Sequence, residues 1–217
     1  MKHILEADGI QLEFRGRKIL SDIYLKCETG KVTGLLGRNG EGKSCLLNII
    51  YGSIACESSV RFDNITWPSQ MRRPEFLLCL PQFNFIPKIL SLKRVFQDFE
   101  LDYSSFQARF PEFRGTPKSN MGSLSGGELR LIELYVIVRS KTQFVLLDEP
   151  FTHLNPIQIE KAKELILEEK KNKGLLITDH LYKNVTDISD NLYVLKNGKT
   201  HLTNNLDDIE TLGYAKL

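Results

Sequence analysis

The chain has 217 residues, 41% of them apolar and 26% charged, with a formal net charge of +2. This is the composition of one globular unit, or of a core with a lobe inserted in it, large enough to bury its own interior without a disulfide or metal staple. Both signs of charge are interspersed and no basic stripe stands out, so a nucleic-acid partner has no electrostatic support.

The opening Met1-Lys2-His3-Ile4-Leu5-Glu6 meets an acid before any hydrophobic region develops, unlike a signal peptide. Alternating runs at Ile4–Ala7, Ile10–Phe14 and Ile19–Leu25 predict antiparallel strands. Val32–Leu36 is nearly all apolar, as expected of a strand covered on both faces. A Gly-rich turn follows, then a predicted helix over Ser44–Tyr51 that stops near Gly52. From about Phe83 to Gly122 there is no buried-strand pattern, and helix-like stretches at Leu92–Phe99 and Ser104–Phe110 predict a small inserted helical lobe. Another helix opens at Leu124-Ser125-Gly126-Gly127-Glu128 and is expected to reach about Arg139.

Phe144–Leu147 and Leu175–Thr178 predict two more buried strands, with a helix from Pro156 to Lys173 between them. Asn155 caps that helix and Pro156 suits its first position. Ile159, Ala162, Leu165 and Ile166 form its apolar stripe, while Lys170, Lys171 and Lys173 sit at the negative dipole end before Gly174. Strand and helix units alternating in this way argue for an α/β fold with a parallel sheet. The apolar runs are far too short to cross a bilayer. Cys27, Cys45, Cys56 and Cys79 show no Cys-x-x-Cys spacing and no nearby histidine, so reduced thiols are expected.

Gly37-Arg38-Asn39-Gly40-Glu41-Gly42-Lys43-Ser44 fits the phosphate-binding P-loop pattern, after a strand and before a helix. Backbone N–H groups of Gly37, Asn39, Gly40, Gly42 and the first helical turn, Cys45 included, can converge on phosphate oxygens. Lys43 adds a point charge for the β- and γ-phosphates, and the Ser44 hydroxyl can ligate Mg²⁺. Glu41 is expected to turn its side chain to solvent and its N–H to the nucleotide. Cys45 lies in the first helical turn, where the dipole can favour a thiolate, against the plainer reading of a small buried residue.

Phe144-Val145-Leu146-Leu147-Asp148-Glu149-Pro150 is a hydrophobic strand ending in two acids. Adjacent strand residues point to opposite sides, so Asp148 can orient Mg²⁺ while Glu149 reaches the attacking water. Ligands of open α/β sheets gather beyond the C-terminal strand ends, where this pair and the P-loop both fall.

Leu124-Ser125-Gly126-Gly127-Glu128 closely resembles the signature motif of the ABC ATPases, with Glu128 where Gln is commoner. The resemblance implies a P-loop NTPase of the ABC fold: a RecA-like parallel-sheet core, an antiparallel β subdomain and an inserted helical subdomain. On this chain that means a core of residues 1–82 and 123–217, with the helical part at about 83–122. It further implies a head-to-tail homodimer, or a dimer with a homologous ATPase subunit. In it Ser125, Gly126, Gly127 and Glu128 of one copy close over ATP held by the P-loop of the other. By the same resemblance Gln82 is the metal- and γ-phosphate-sensing glutamine, His180 the switch histidine and Phe14 the adenine-stacking aromatic. The D-loop ends in Asn155 where the family usually has Asp.

The leading expectation is thus an ATP-hydrolysing subunit using ATP and Mg²⁺ and docked on a transmembrane permease subunit at the cytoplasmic face of the membrane. Phe83, Phe85, Ile86 and Pro87 would offer apolar surface near Gln82 for that docking. Motifs around Gln82, Leu90-Ser91-Leu92, Asp148–Phe151 and Ile177–His180 are similar to those of lipopolysaccharide-export and branched-chain amino-acid uptake ATPases. The alternative is a non-transport ABC ATPase acting on DNA or ribosomes. Against it stand the short P-loop-to-signature interval without heptads and the single cassette.

Overall fold

The computed structural model describes residues 2–68, 73–203 and 206–214. The strands are β1 (Ile4–Phe14), β2 (Arg17–Leu20), β3 (Tyr24–Glu28), β4 (Val32–Leu36), β5 (Glu57–Phe62), β6 (Ile65–Trp67), β7 (Leu77–Leu80), β8 (Phe144–Asp148), β9 (Gly174–Thr178), β10 (Asn191–Lys196) and β11 (Lys199–Thr203). The helices are α1 (Lys43–Ile50), α2 (Leu92–Asp98), α3 (Tyr103–Arg109), α4 (Gly126–Arg139), α5 (Pro156–Glu169), α6 (Tyr182–Thr186) and α7 (Leu206–Thr211). No helix among the described residues is long and apolar enough to cross a membrane.

A six-stranded sheet runs in the order β11-β10-β4-β9-β8-β7, parallel except at its β10–β11 edge. It separates two apolar interiors, and the period-2 alternation of its strands decides which side chain enters which. Val145, Leu147, Leu175 and Ile177 face the side shared with α4 and α5. Phe144, Leu146, Leu176 and Leu35 face α1 and the antiparallel sheet of β1, β2, β3, β5 and β6. Strands buried on both faces read as continuous apolar runs, which is why β4, β8 and β9 were visible in the sequence.

The N-terminal strands depart from expectation in two ways. The two predicted runs before Phe14 merge into one strand, with an irregular register against β5 between Asp8 and Gln11. The run Ile19–Leu25 instead breaks into β2 and β3, because the N–H groups of Ser21 and Asp22 turn to the Gly198 carbonyl of the β10–β11 hairpin.

Between β7 and α4 the chain packs α2 and α3 around Phe106, whose ring lies 5.0 to 5.5 Å from Phe96, Phe110, Phe113 and Tyr135. Tyr135 belongs to α4, so this aromatic cluster fastens the helical region to the helix that follows it. Ile86, expected on the docking surface, is 7% exposed and belongs to this interior, whereas Phe83 is 74% exposed.

Helix α5 begins as expected: Asn155 accepts from the Gln158 N–H at 2.9 Å, and the Gln158 side chain accepts the Asn155 N–H at 3.1 Å. It ends earlier than expected, at Glu169, and Gly174 is the first residue of β9. Lys173 serves another helix. It is 2% exposed, and its Nζ donates to the carbonyls of Val138 and Ser140 at 2.7 and 2.6 Å, at the C-terminal end of α4. Lys173→Met strands those acceptors, and a loss of roughly 2–4 kcal/mol in urea unfolding is expected.

Candidate functional site

The P-loop spans the gap between the end of β4 and the start of α1. Gly42, at φ 103°, occupies a left-handed conformation that a side chain resists, and a Cβ there would meet Ile19 at 2.9 Å. That turn aims the α1 N-terminus at a cavity of about 560 Å³. Phe14, Asn39, Gly40, Gly42, Lys43, Ser44, Cys45, Gln82, Glu149 and His180 all line it. Gly37 and Asp148 stand behind these residues, and Phe14 is 50% exposed at the rim. Residues separated by most of the chain length thus meet at the C-terminal edge of the parallel sheet.

Lys43 is buried, and its Nζ donates to the Gly37 carbonyl at 2.6 Å and the Arg38 carbonyl at 3.3 Å. Burial pulls its pKa down, opposed chiefly by the negative charges of Glu149 and Asp148. The Asp148 carboxylate accepts from Thr178 Oγ1 at 2.8 Å and from the Ser44 hydroxyl. Burial raises its pKa, and those two hydrogen bonds oppose the shift. Glu149 sits at φ 49° and turns its carboxylate the other way. Its Oε2 accepts from Gln82 Nε2 at 3.0 Å and lies 3.7 Å from His180 Nδ1. Behind the histidine, the fully buried Asp179 accepts the N–H groups of Leu181 and Phe151.

One expectation near the loop is corrected. Glu41 does not turn to solvent: its carboxylate accepts the Asn197 N–H at 2.9 Å, and its own N–H donates to the Arg38 carbonyl at 3.2 Å. For Cys45 the plainer reading is the one favoured: the side chain is half-buried, and burial and the Asp148 charge push its thiol pKa up rather than down.

The turn at Ser125 lies elsewhere. Ser125, Gly126, Gly127 and Glu128 are not among the residues lining the cavity. Ser125 caps α4, accepting the Glu128 N–H, while its own N–H and hydroxyl donate to Glu128 Oε2 at 2.9 and 2.7 Å. A Cβ on Gly127 would approach the His153 carbonyl to 2.6 Å, so only glycine lets this turn pack on the segment before α5.

A family model described as ABC transporter matches residues 20–152. The chain belongs to the ABC transporter family. It is 28% identical over 212 residues to the lipopolysaccharide export system ATP-binding protein LptB of Haemophilus influenzae, covering 90% of this chain and 88% of that protein. It is 30% identical over 212 residues to a probable ABC transporter ATP-binding protein of Azorhizobium caulinodans, covering 89% of this chain and 74% of that one. A solved ATP binding subunit of an ABC transporter superposes with a TM-score of 0.78 at 21% identity, over 97% of this chain and 94% of that chain. A bacterial Atm1-family ABC exporter with ATP bound superposes with a TM-score of 0.82 at 16% identity, over 97% of this chain and 40% of that chain. These two likenesses bear on the fold, which is that of the ABC ATPase cassettes.

Within this ABC cassette, residues that sequence reasoning missed hold the site from behind. Arg130 and Glu133 on α4 are 1% and 0% exposed. Arg130 donates to the carbonyls of Pro81, Asp148 and Glu149, and Glu133 accepts the N–H groups of Phe85 and Ile86. The available signal was the pair of charges three apart inside the apolar run Leu129–Tyr135. Such charges on a buried helix demand partners.

Proposed function

We propose that this chain is the ATP-hydrolysing subunit of an ABC transporter, acting as a head-to-tail dimer that holds each ATP between Lys43 of one copy and Ser125 of the other. One observation carries the reading. Lys43, Ser44, Gln82, Glu149 and His180 share a cavity, while the Ser125 turn, a second anion-binding type of helix start, lies outside it. A second copy gives that turn a phosphate to meet.

On this reading residues 1–82 and 123–217 form the catalytic core and about 83–122 a helical subdomain. Lys43 leaves the Gly37 and Arg38 carbonyls for the β- and γ-phosphates. The N–H groups of Gly37, Asn39, Gly40, Gly42, Ser44 and Cys45 cradle the rest of the triphosphate, and Phe14 stacks on the base. The oxygens of Ser44, Asp148 and Gln82 are hard donors of the kind that suits Mg²⁺, and these residues would hold the ion, with waters and phosphate oxygens as its other ligands. Mg²⁺ held there would supply charge neutralisation for the transferred phosphoryl group. Glu149 accepts the proton of the attacking water, with the Gln82 amide and the His180 ring at the same oxygen fixing its direction. His180 then faces the γ-phosphate, and Ser125, Gly126, Gly127 and Glu128 of the other copy close the site.

The transport role rests on the relatives' names and on exposed apolar side chains in the stretch that follows Gln82, where Phe83 and Ile89 are 74% and 84% exposed. It places the protein in the cytoplasm, peripheral on the inner membrane face through a permease subunit. The test is Mg²⁺-dependent ATP hydrolysis by the purified chain, with affinity purification from detergent-solubilised membranes. Recovery of a multi-span partner is the expected result, and recovery of ribosomes or DNA overturns the transport assignment.

Asn155 in place of the usual D-loop acid leaves the helix cap intact. Asn and Asp cap equally well, so Asn155→Asp is expected to hold the urea midpoint within about 0.5 kcal/mol of stability. A drop well beyond that would show the amide to be bound by more than the cap.

A further inference from the structure

We propose that Arg130 is a positioning residue that sets Gln82 and Glu149 relative to each other, an inference that rests on the roles just given to those two side chains. Its guanidinium reaches two separate loops. Nη1 donates to the Pro81 carbonyl at 2.7 Å, immediately before Gln82. Nη2 donates to the carbonyls of Asp148 at 2.7 Å and Glu149 at 2.9 Å. The Gln82 amide closes the ring by donating to Glu149 Oε2 at 3.0 Å.

The backbone of Glu149 needs this grip. At φ 49° it lies in a region that a non-glycine residue occupies only when its surroundings hold it there. The Thr178 carbonyl takes its N–H at 3.0 Å, and Arg130 takes its carbonyl. One turn along α4, Glu133 Oε1 accepts the N–H groups of Phe85 and Ile86 at 2.8 and 3.0 Å. A cation and an anion on one helix thus hold the two ends of the segment carrying Gln82.

A plain ion pair does not describe this arrangement. Arg130 Nη1 and Glu133 Oε2 are 3.9 Å apart, and both Arg130 Nε and Glu133 Oε2 lack a hydrogen-bond partner among the described residues. The charges are spent on backbone groups of the site. A planar fork with several donors can serve three carbonyls in fixed directions, whereas an ammonium is a single point.

The test uses the full chain with Arg130→Lys and Arg130→Met, a fluorescent ATP analogue for affinity, single-turnover hydrolysis of Mg-ATP and thermal unfolding. Lys43 and the P-loop are untouched, so the analogue is expected to bind within about twofold of wild type. The hydrolysis rate should fall roughly 10- to 100-fold in both variants, the scale of a displaced catalytic group. Because Lys keeps the charge, its failure to restore the rate distinguishes geometry from electrostatics. Should Arg130→Met not fold, Arg130→Lys decides alone. Wild-type turnover by Arg130→Lys overturns the inference, as does a rate that falls only in step with affinity or folded fraction. Absence of hydrolysis in the wild-type chain itself overturns the functional reading beneath it.

Discussion

Glu149→Gln is expected to bind ATP as the wild type does and to lose at least about 100-fold in turnover, the contribution of a well-placed general base. The substitution is nearly isosteric, and the conformation of residue 149 is held through its backbone by Thr178 and Arg130 rather than through its side chain. The amide still meets Gln82 and His180, but it has no free carboxylate to take a proton. If the two copies close around ATP, this variant should be trapped closed. Steady-state hydrolysis with gel filtration in the presence and absence of ATP reads both effects. Normal turnover would remove Glu149 from the chemistry, and a monomer at saturating ATP would remove the dimer.

Lys43→Ala should weaken nucleotide binding by at least about 100-fold, which corresponds to roughly 2.7 kcal/mol. Its amine is buried and, among the described residues, has only the Gly37 and Arg38 carbonyls as hydrogen-bond partners, so its charge is available to an anion. Around it stand the carboxylates of Glu149, Asp148, Glu41 and Asp179. With the cation removed, a triphosphate entering the cavity meets a surplus of like charge in a partly desolvated site, where Coulomb terms are larger than in water. Calorimetric titration with ATP measures the loss. An affinity within a few-fold of wild type would show that the backbone cradle and α1 suffice alone.

Much of this cassette could be read before any coordinates. The continuous apolar runs of β4, β8 and β9 appear where expected, because strands covered on both faces need no partner to be recognised. The cap at Asn155 and the turn at Ser125 depend on residues within four positions of each other, and both are as expected. The edge elements were less visible. In β5, β6 and β11 the runs are short, mixed in polarity and half-exposed, although Asn197-Gly198 between β10 and β11 is a hairpin signal that could have been used. Lys173 was misplaced because a lysine cluster after a helix suits that helix's own dipole. Besides an ion pair with Glu169 at the end of α5, its amine donates to two carbonyls at the end of α4, more than thirty residues earlier.

By itself, then, the sequence determined the chemistry on offer: a glycine loop with Lys43 and Ser44, a strand ending in Asp148 and Glu149, and capped helix starts at Ser125 and Asn155. Each is set by local backbone geometry and hydrogen bonds of short reach, so neighbouring residues suffice to specify it. Tertiary structure alone decided that the Gln82 amide and the His180 ring both approach Glu149 Oε2 and that Arg130 ties two loops together, while the resemblance already led Ser125 to be expected outside its own copy's cavity. Those facts depend on the adjacency of β7, β8 and β9 in the sheet and on which face of α4 meets their ends. Packing of whole elements chooses that face, and spacing along the chain does not record it.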